Sequence, residues 1–229
     1  MIMKSEMVVA SEEWVWSVAV DVVIFTLRRQ DLQVYLIQRQ ERPGYWSLPG
    51  GIVRADEALE EAAFRQLREQ TTVENLYLQQ LFTYGDPERD TRRRVISVAY
   101  FALIAADRLT VETEKDARAW HSVYQLPPLA FDHARMVDDA LVRLRNKIEY
   151  SAAAFELMPE EFTLRELQQA YMIILNDHTL DKANFRKKIH EARIVEPVNR
   201  YQNTGGRPAQ LYRFRKDAKL ETKARRFFP

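Results

Sequence analysis

The sequence predicts an α+β protein of two domains, residues 1–150 and residues 151–229, on three observations. Up to residue 150, aliphatic strand-like runs surround a glycine loop and an amphipathic helical segment. Residues 163–214 carry instead two helical patterns joined by a short turn, then two β-like stretches. Charge changes sign between the parts: residues 1–150 hold 19 Lys and Arg against 23 Asp and Glu, and residues 151–229 hold 15 against 10. The excess concentrates in residues 178–229, with 14 basic and 5 acidic side chains. A basic segment on a mildly acidic domain points to a polyanionic partner.

Composition narrows the class. A chain of 229 residues with 46% hydrophobic content can form a packed core. Its longest apolar stretch, residues 95–106, is too short to span a bilayer. The absence of cysteine excludes disulfides and thiolate metal sites. No basic leader followed by an apolar run opens the chain, so a cytoplasmic protein without membrane partners is expected.

The elements follow in order. Residues 18–27 read as a strand interrupted by Asp21. A polar turn at 28–31 leads into residues 32–38, completing a hairpin pattern of β-branched and aliphatic residues. Arg39 leaves this strand beside the loop Trp46-Ser47-Leu48-Pro49-Gly50-Gly51. Leu59, Ala62, Ala63 and Leu67 then form the buried stripe of a helix. Residues 76–83 and 95–103 read as strands joined by the polar stretch 84–94, and residues 119–122 as a further strand. Asp132 is placed to cap a helix carrying Val137, Ala140, Leu141 and Leu144 at helical spacing.

The loop and first helix carry the most specific motif, Gly51-x5-Glu57-x7-Arg65-Gln66-Leu67-x-Glu69-Gln70-x-Thr72-Val73. Positions 66, 69 and 70 are related by i, i+3 and i+4, so they share one helix face. Three carboxylates there would build an oxygen site for Mg²⁺. Only Glu69 is a carboxylate, so neither a metal site nor catalytic residues are expected. Arg65 can pair with Glu69 one turn on. Thr72 stands where a glycine would close the helix.

In the second domain, residues 151–159 read as a linker ending in Pro159. Thr163-Leu-Arg-Glu166 makes a capping box, followed by Leu164, Leu167, Tyr171, Ile174 and Leu175 on one face. After a turn at 176–179, Phe185, Ile189 and Ala192 form the inner side of a second helix. Arg186, Lys187 and His190 face away, flanked by Lys182, Asn184 and Lys188. Two β-like stretches around a Gly-Gly-Arg tip follow, with Arg200 and Arg207. This is the pattern of a winged helix-turn-helix domain, whose second helix enters a DNA major groove. Arg186, Lys187 and His190 are expected at the groove, and Lys182, Lys188, Arg200 and Arg207 at the phosphates.

The motif at 51–73 resembles a Nudix box, G-x5-E-x7-R-E-U-x-E-E-x-G-U with U a bulky aliphatic residue. Gly51, Glu57, Arg65, Leu67, Glu69 and Val73 match, whereas Gln66, Gln70 and Thr72 depart. Both halves together resemble the Nudix-related transcriptional regulators of NAD metabolism and their sugar-responsive relatives. The resemblance runs through Asp86–Asp90, Arg94-Val-Ile-Ser-Val-Ala-Tyr-Phe101, Leu129-Ala-Phe-Asp-His133 and Lys182-Ala-Asn-Phe-Arg-Lys-Lys188. It implies an N-terminal α/β/α sandwich that senses a metabolite and a C-terminal winged helix, acting as a dimeric regulator, with repression the expected sign. The effector it implies is ADP-ribose, with no cofactor required, and the controlled genes serve NAD synthesis or salvage. Arg39, Gly50, Gly51, Arg54 and Glu69 are the expected effector contacts, the two arginines on its phosphates. A helix-turn-helix dimer implies a double-stranded operator with imperfect palindromic symmetry. Three alternatives stand beside this reading: an active pyrophosphohydrolase, a pentose-responsive regulator and an RNA-associated protein.

Overall fold

The computed structural model describes residues 16–39, 43–71, 77–109, 117–150, 152–203, 205 and 207–215. β1 (Ser17–Arg28) and β2 (Asp31–Gln38) form the expected hairpin. Its two-residue turn holds Arg29 and Gln30 at φ 52° and 58°, a backbone twist that suits closely paired antiparallel strands. β3 (Trp46–Ser47) pairs with the end of β2, and β4 (Gly50–Ile52) with the start of β1. Then come α1 (Leu59–Thr71), β5 (Tyr77–Tyr84), β6 (Val95–Ala105), β7 (Arg118–Ser122) and α2 (His133–Tyr150). β6 runs parallel to β1 and antiparallel to β5, and β7 pairs with β2, giving a mixed sheet of seven strands.

Alternation along the strands makes this a three-layer sandwich. Val20, Val22 and Ile24 of β1 pack with Ala62, Ala63 and Leu67 of α1 on one face. Val23 and Phe25, with Leu32, Val34 and Leu36, pack with Met136, Val137, Ala140 and Leu144 of α2 on the other. Asp21 does not interrupt β1. The strand runs through it in register with Gly50 and Ala99, and its buried carboxylate is satisfied by side chains from outside the strand. Asp132 stands just before α2 as expected, but its carboxylate accepts from Arg89 Nε and Nη2 at 3.1 and 2.8 Å. Thr72, Val73 and Leu76 lie outside the described residues. The carbonyl of Gln70, near the end of α1, accepts from the Tyr35 hydroxyl and from Arg118 Nη1, each at 3.1 Å.

The segment read as a linker is packed. A 3₁₀ turn spans Ala152–Leu157, and Leu157 and Met158 are buried in the cluster that holds α2. Their apolar side chains oppose a solvated linker. β8 (Phe162–Thr163), α3 (Leu164–Leu175), α4 (Lys182–Ala192), β9 (Val195–Gln202) and β10 (Ala209–Phe214) follow, with sheet order β8-β10-β9. The capping box forms: Thr163 N donates to Glu166 Oε2 at 2.7 Å, and Glu166 N to Thr163 Oγ1 at 3.2 Å. α3 closes on left-handed Asn176, φ 54°. Asp181 caps α4 by accepting from Asn184 N at 2.7 Å. Phe185 and Ile189 are fully buried, the Phe185 ring meeting Tyr171 edge-on at 5.4 Å. Ala192 is half-buried.

The winged helix is docked on the α2 side of the sheet. One buried cluster continues from Phe25 and Met136 to Leu167, Tyr171 and Phe185. Two polar clips reinforce it at the end of α3. Tyr124 Oη donates to the Ile173 carbonyl at 2.5 Å, and Arg145 Nε to the Ile174 carbonyl at 2.9 Å. Helix-terminal carbonyls lack intrahelical donors, so these side chains supply what the turn into α4 requires.

Candidate functional site

The glycine loop is fixed by close approach. A Cβ on Gly50 would run into the Asp21 carboxylate and come within 2.5 Å of the Val20 carbonyl. One on Gly51 would lie 2.6 Å from the Gln66 amide. At Gly50 the β1 backbone leaves room for glycine alone, whereas at Gly51 a side chain would displace only the end of Gln66. The Gly50 carbonyl accepts from Arg39 Nη2 at 2.8 Å. A glutamine amide reaches the same oxygen from α1. Gln70 Nε2 stands 3.4 Å away. Turned so that its oxygen accepts from Arg65 Nη1 at 2.7 Å, the Gln66 amide donates to the carbonyl at 3.1 Å. Amide orientation follows from the hydrogen-bond network: unturned, Gln66 Oε1 accepts from Gln70 Nε2, whereas with Gln66 turned its nitrogen faces Gln70 Nε2, and the pair bonds only if Gln70 turns as well.

The other side of α1 is ionic. Arg65 binds Glu57 through two hydrogen bonds, at 2.8 and 2.5 Å, and lies 3.5 Å from Glu69. Glu57, not the expected Glu69, is its principal partner. The hydrogen bond from Arg65 holds the Glu57 carboxyl down at about 2, far below the usual carboxylate range. A general base works best with a pKa near the operating pH, which Glu57 lacks. Glu69 is exposed and pairs with Arg65 and, at 3.8 Å, with Arg54. A divalent cation, which the Nudix box implies, does not fit this set. Two amides face the Gly50 carbonyl, and both carboxylates are engaged by guanidinium groups. Among the described residues no cluster of three or more His, Cys, Asp or Glu could hold a metal.

A cleft of about 140 Å³ opens beside Gly51, lined by Arg39, Arg89, Arg92 and Arg93 together with Asp21, Asp90, Phe131 and His133. Its floor is a buried polar network. Asp21 accepts from Ser97 Oγ at 2.6 Å, and Arg89 Nη2 lies 3.6 Å from Asp21 and 2.8 Å from Asp132. Leu48 N donates to His133 Nδ1 at 2.9 Å, leaving Nε2 at 3.5 Å from Asp21. Burial pushes the His133 pKa down against the upward pull of Asp21 and Asp132, favouring the neutral ring. Arg92 grips Asp90 through two side-chain bonds, 2.9 and 2.8 Å, and its guanidinium lies 5.4 Å from the Phe131 ring centroid. Phe131 holds a left-handed φ of 57°, uncommon for an aromatic residue.

Of the expected effector contacts, Arg39 and Gly51 line this cleft, and Gly50 anchors Arg39 from behind. Arg54 and Glu69 do not line it; they pair on the exposed side of α1. Asp21, Arg89, Asp90, Arg92, Arg93, Phe131 and His133 also line the cleft, and the sequence motifs do not single them out as site residues. A carboxylate inside an apolar strand requires a buried partner, so Asp21 was the available signal.

A second concave surface of about 530 Å³ lies between α4 and the wing. Lys182, Arg186 and His190 line one wall, Arg207 and Gln210 the other, and Arg165 the end. In the sequence Arg165 marks only the interior of the capping box. Asn184 is exposed on α4, and Lys188 is half-buried. Lys187 is exposed outside this groove, 3.9 Å from Glu191. Arg200 bonds the Glu161 carboxylate. Thr204 and Gly206 at the wing tip, and the basic tail 216–229, lie outside the described residues.

Two family models match the chain. The NUDIX domain matches residues 17–140, and the NrtR DNA-binding winged helix domain matches residues 154–214. This chain belongs to the NrtR family. It is 41% identical over 202 residues to the ADPR responsive transcriptional repressor NtrR of Acinetobacter baylyi, covering 85% of this chain and 80% of the relative. Shewanella oneidensis NrtR, solved in complex with a 27mer DNA, superposes with a TM-score of 0.79 at 33% identity, over 92% of this chain and 97% of that one. The NUDIX domain of the same NrtR, solved with ADP ribose, matches at a TM-score of 0.51 and 36% identity, over 57% of this chain and 89% of that one. In this NrtR-family chain the arginine cleft falls within the NUDIX match and the cationic groove within the winged-helix match.

Proposed function

We propose that this chain is a dimeric, cytoplasmic transcriptional repressor that binds ADP-ribose without hydrolysing it. Its operators would be imperfect palindromes ahead of genes for NAD synthesis or salvage. The observation that carries the reading is the pairing of an arginine-lined cleft with a Nudix helix whose inner face is amide rather than carboxylate. Four arginines favour a phosphate-bearing ligand over a neutral pentose. The groove between α4 and the wing supplies the duplex-binding surface, and the docked turn after α3 places both sites on one core.

The test combines binding, turnover and displacement. ADP-ribose is expected to bind by calorimetry, to raise the thermal transition, and to change affinity for the operator duplex. Incubation with Mg²⁺ is expected to yield no enzyme-dependent AMP. Turnover in the common enzymatic range of ~1–10³ s⁻¹ would overturn the non-hydrolytic reading. Arg39→Ala is expected to weaken ADP-ribose by roughly ten-fold or more, since a charged hydrogen bond contributes about 1.5–3 kcal/mol. Unchanged affinity would move Arg39 out of the ligand site.

A further inference from the structure

We propose that this chain takes its diphosphate ligand without a divalent cation, the Gln66–Gln70 amide pair occupying the place at the Gly50 carbonyl that a cation would otherwise hold. The inference rests on the ADP-ribose reading above and concerns how that ligand is held. A carbonyl aimed at the inner face of α1 needs a donor or a cation. With carboxylates at 66 and 70, three acceptors would converge, and only a cation could bring them together. With amides, N–H groups bridge the gap directly, and Arg39 adds a further donor on the same oxygen. The remaining carboxylate, Glu69, already has Arg65 at 3.5 Å and Arg54 at 3.8 Å. A cation there would meet the repulsion of both guanidinium groups.

The ligand side agrees. The cleft sets four arginines against two aspartates, with His133 favoured in its neutral form. Asp132, which grips Arg89 at 2.8 Å, lowers that excess, and the positive charge that remains faces the diphosphate, so the protein itself supplies part of what a bound cation would bring. A sensor built this way reads its ligand at the same affinity whatever the free Mg²⁺ level. Nor can it easily activate a water, because the cation that would do so has no seat.

The experiment measures ADP-ribose binding to the full chain by calorimetry in EDTA and in MgCl₂. The two dissociation constants are expected to agree within about two-fold. Affinity that appears only with Mg²⁺, or rises by about ten-fold or more, overturns the inference and leaves the ADP-ribose reading standing. Absence of binding in both buffers overturns that reading and the inference with it. Mn²⁺ titrated into the ligand-free protein is expected to keep its free-ion paramagnetic resonance signal; stoichiometric quenching counts against the proposal. Gln66→Glu with Gln70→Glu is expected to lose roughly ten-fold or more of ADP-ribose affinity in EDTA, to recover part of it with Mg²⁺, and to quench Mn²⁺. A folded double variant that binds in EDTA as the parent does overturns the amide role.

Discussion

The cleft in the N-terminal domain and the groove between α4 and the wing are both lined by cations, but they hold them differently. In the cleft, Arg89 is clasped by Asp132 and lies near Asp21, Arg92 is gripped by Asp90, and Arg39 is anchored on the Gly50 carbonyl. In the groove, Lys182, Arg186 and Arg207 stand exposed at the surface. Positive charge held by buried carboxylates has a fixed direction, which suits one small ligand in one pose. Positive charge on flexible exposed stems suits a polyanion whose phosphates repeat. Such binding gains from counterion release and weakens with salt. The same residue type thus does two kinds of recognition, and the neighbours decide which.

Removing a cation from the cleft floor should have the largest effect. Arg89→Ala takes both guanidinium bonds from Asp132 and the compensating charge from buried Asp21, which keeps Ser97 and His133, and the side chains of Arg89 and Asp21 are only 5% and 8% exposed. Breaking a buried pair from one side typically costs about 3–5 kcal/mol. Urea denaturation is expected to report a loss of that order, with ADP-ribose binding lost alongside. A loss below about 1 kcal/mol, the range of exposed ion pairs, would mean that the floor is not preorganised and would erase the contrast with the groove. Arg89→Lys should rescue only in part, because an ammonium cannot reproduce the two-nitrogen grip on Asp132.

This floor also marks where sequence reasoning stopped. The hairpin, α1 with its buried stripe, the capping box and the Phe185/Ile189 face were legible because their determinants lie within one or two turns or strands. So was the loss of carboxylates at Gln66 and Gln70, since i, i+3, i+4 spacing is a local rule. The floor joins Asp21 in β1, Arg89 before β6 and Asp132 and His133 at the start of α2, a juxtaposition set by strand order and not by spacing. Asp21 looked like a break in a strand because its partners lie 68 and 112 positions away. Likewise Phe155, Leu157 and Met158 read as a linker until the α2 face gave them somewhere to pack. The groove was half legible: Lys182, Arg186 and His190 follow from helical phase, whereas Arg165 enters only through the docking of α3.

Salt sharpens the comparison next. Arg207→Ala, at the wing, is expected to weaken operator and random duplexes alike and to lower the salt slope of binding by about one. Arg186→Ala, on the exposed face of α4, is expected to cost about 1–3 kcal/mol on the operator and to relax specificity at one base pair. ADP-ribose affinity should change less over the same salt range, because the cleft sets buried Arg89 and half-buried Arg39 beside the exposed Arg92 and Arg93, and mobile ions reach buried charges poorly. Equal salt dependence of the two ligands would show that burial does not distinguish the sites. If neither substitution affects a duplex while the fold survives, the groove is not the DNA surface.

The smallest expected effect separates two arginines that the sequence placed side by side. Arg39 and Arg54 flank the same glycine loop, one before Trp46 and the other after Gly51. Arg39 turns inward to the Gly50 carbonyl and lines the cleft. The Arg54 side chain is 61% exposed, and its guanidinium reaches Glu69, itself 49% exposed, at 3.8 Å. An ion pair this open to water is worth about 0–1 kcal/mol, most of it screened by salt. Glu69 also keeps Arg65 at 3.5 Å, so losing Arg54 strands no carboxylate. Arg54→Ala is therefore expected to shift ADP-ribose affinity by less than about two-fold and to leave the denaturation midpoint nearly unchanged. A ten-fold loss of affinity in Arg54→Ala would mean that the ligand reaches past Gly51 onto the outer side of α1. The binding surface would then include the Glu57–Arg65–Glu69 ion-pair cluster, and the arginine cleft would be only its inner half.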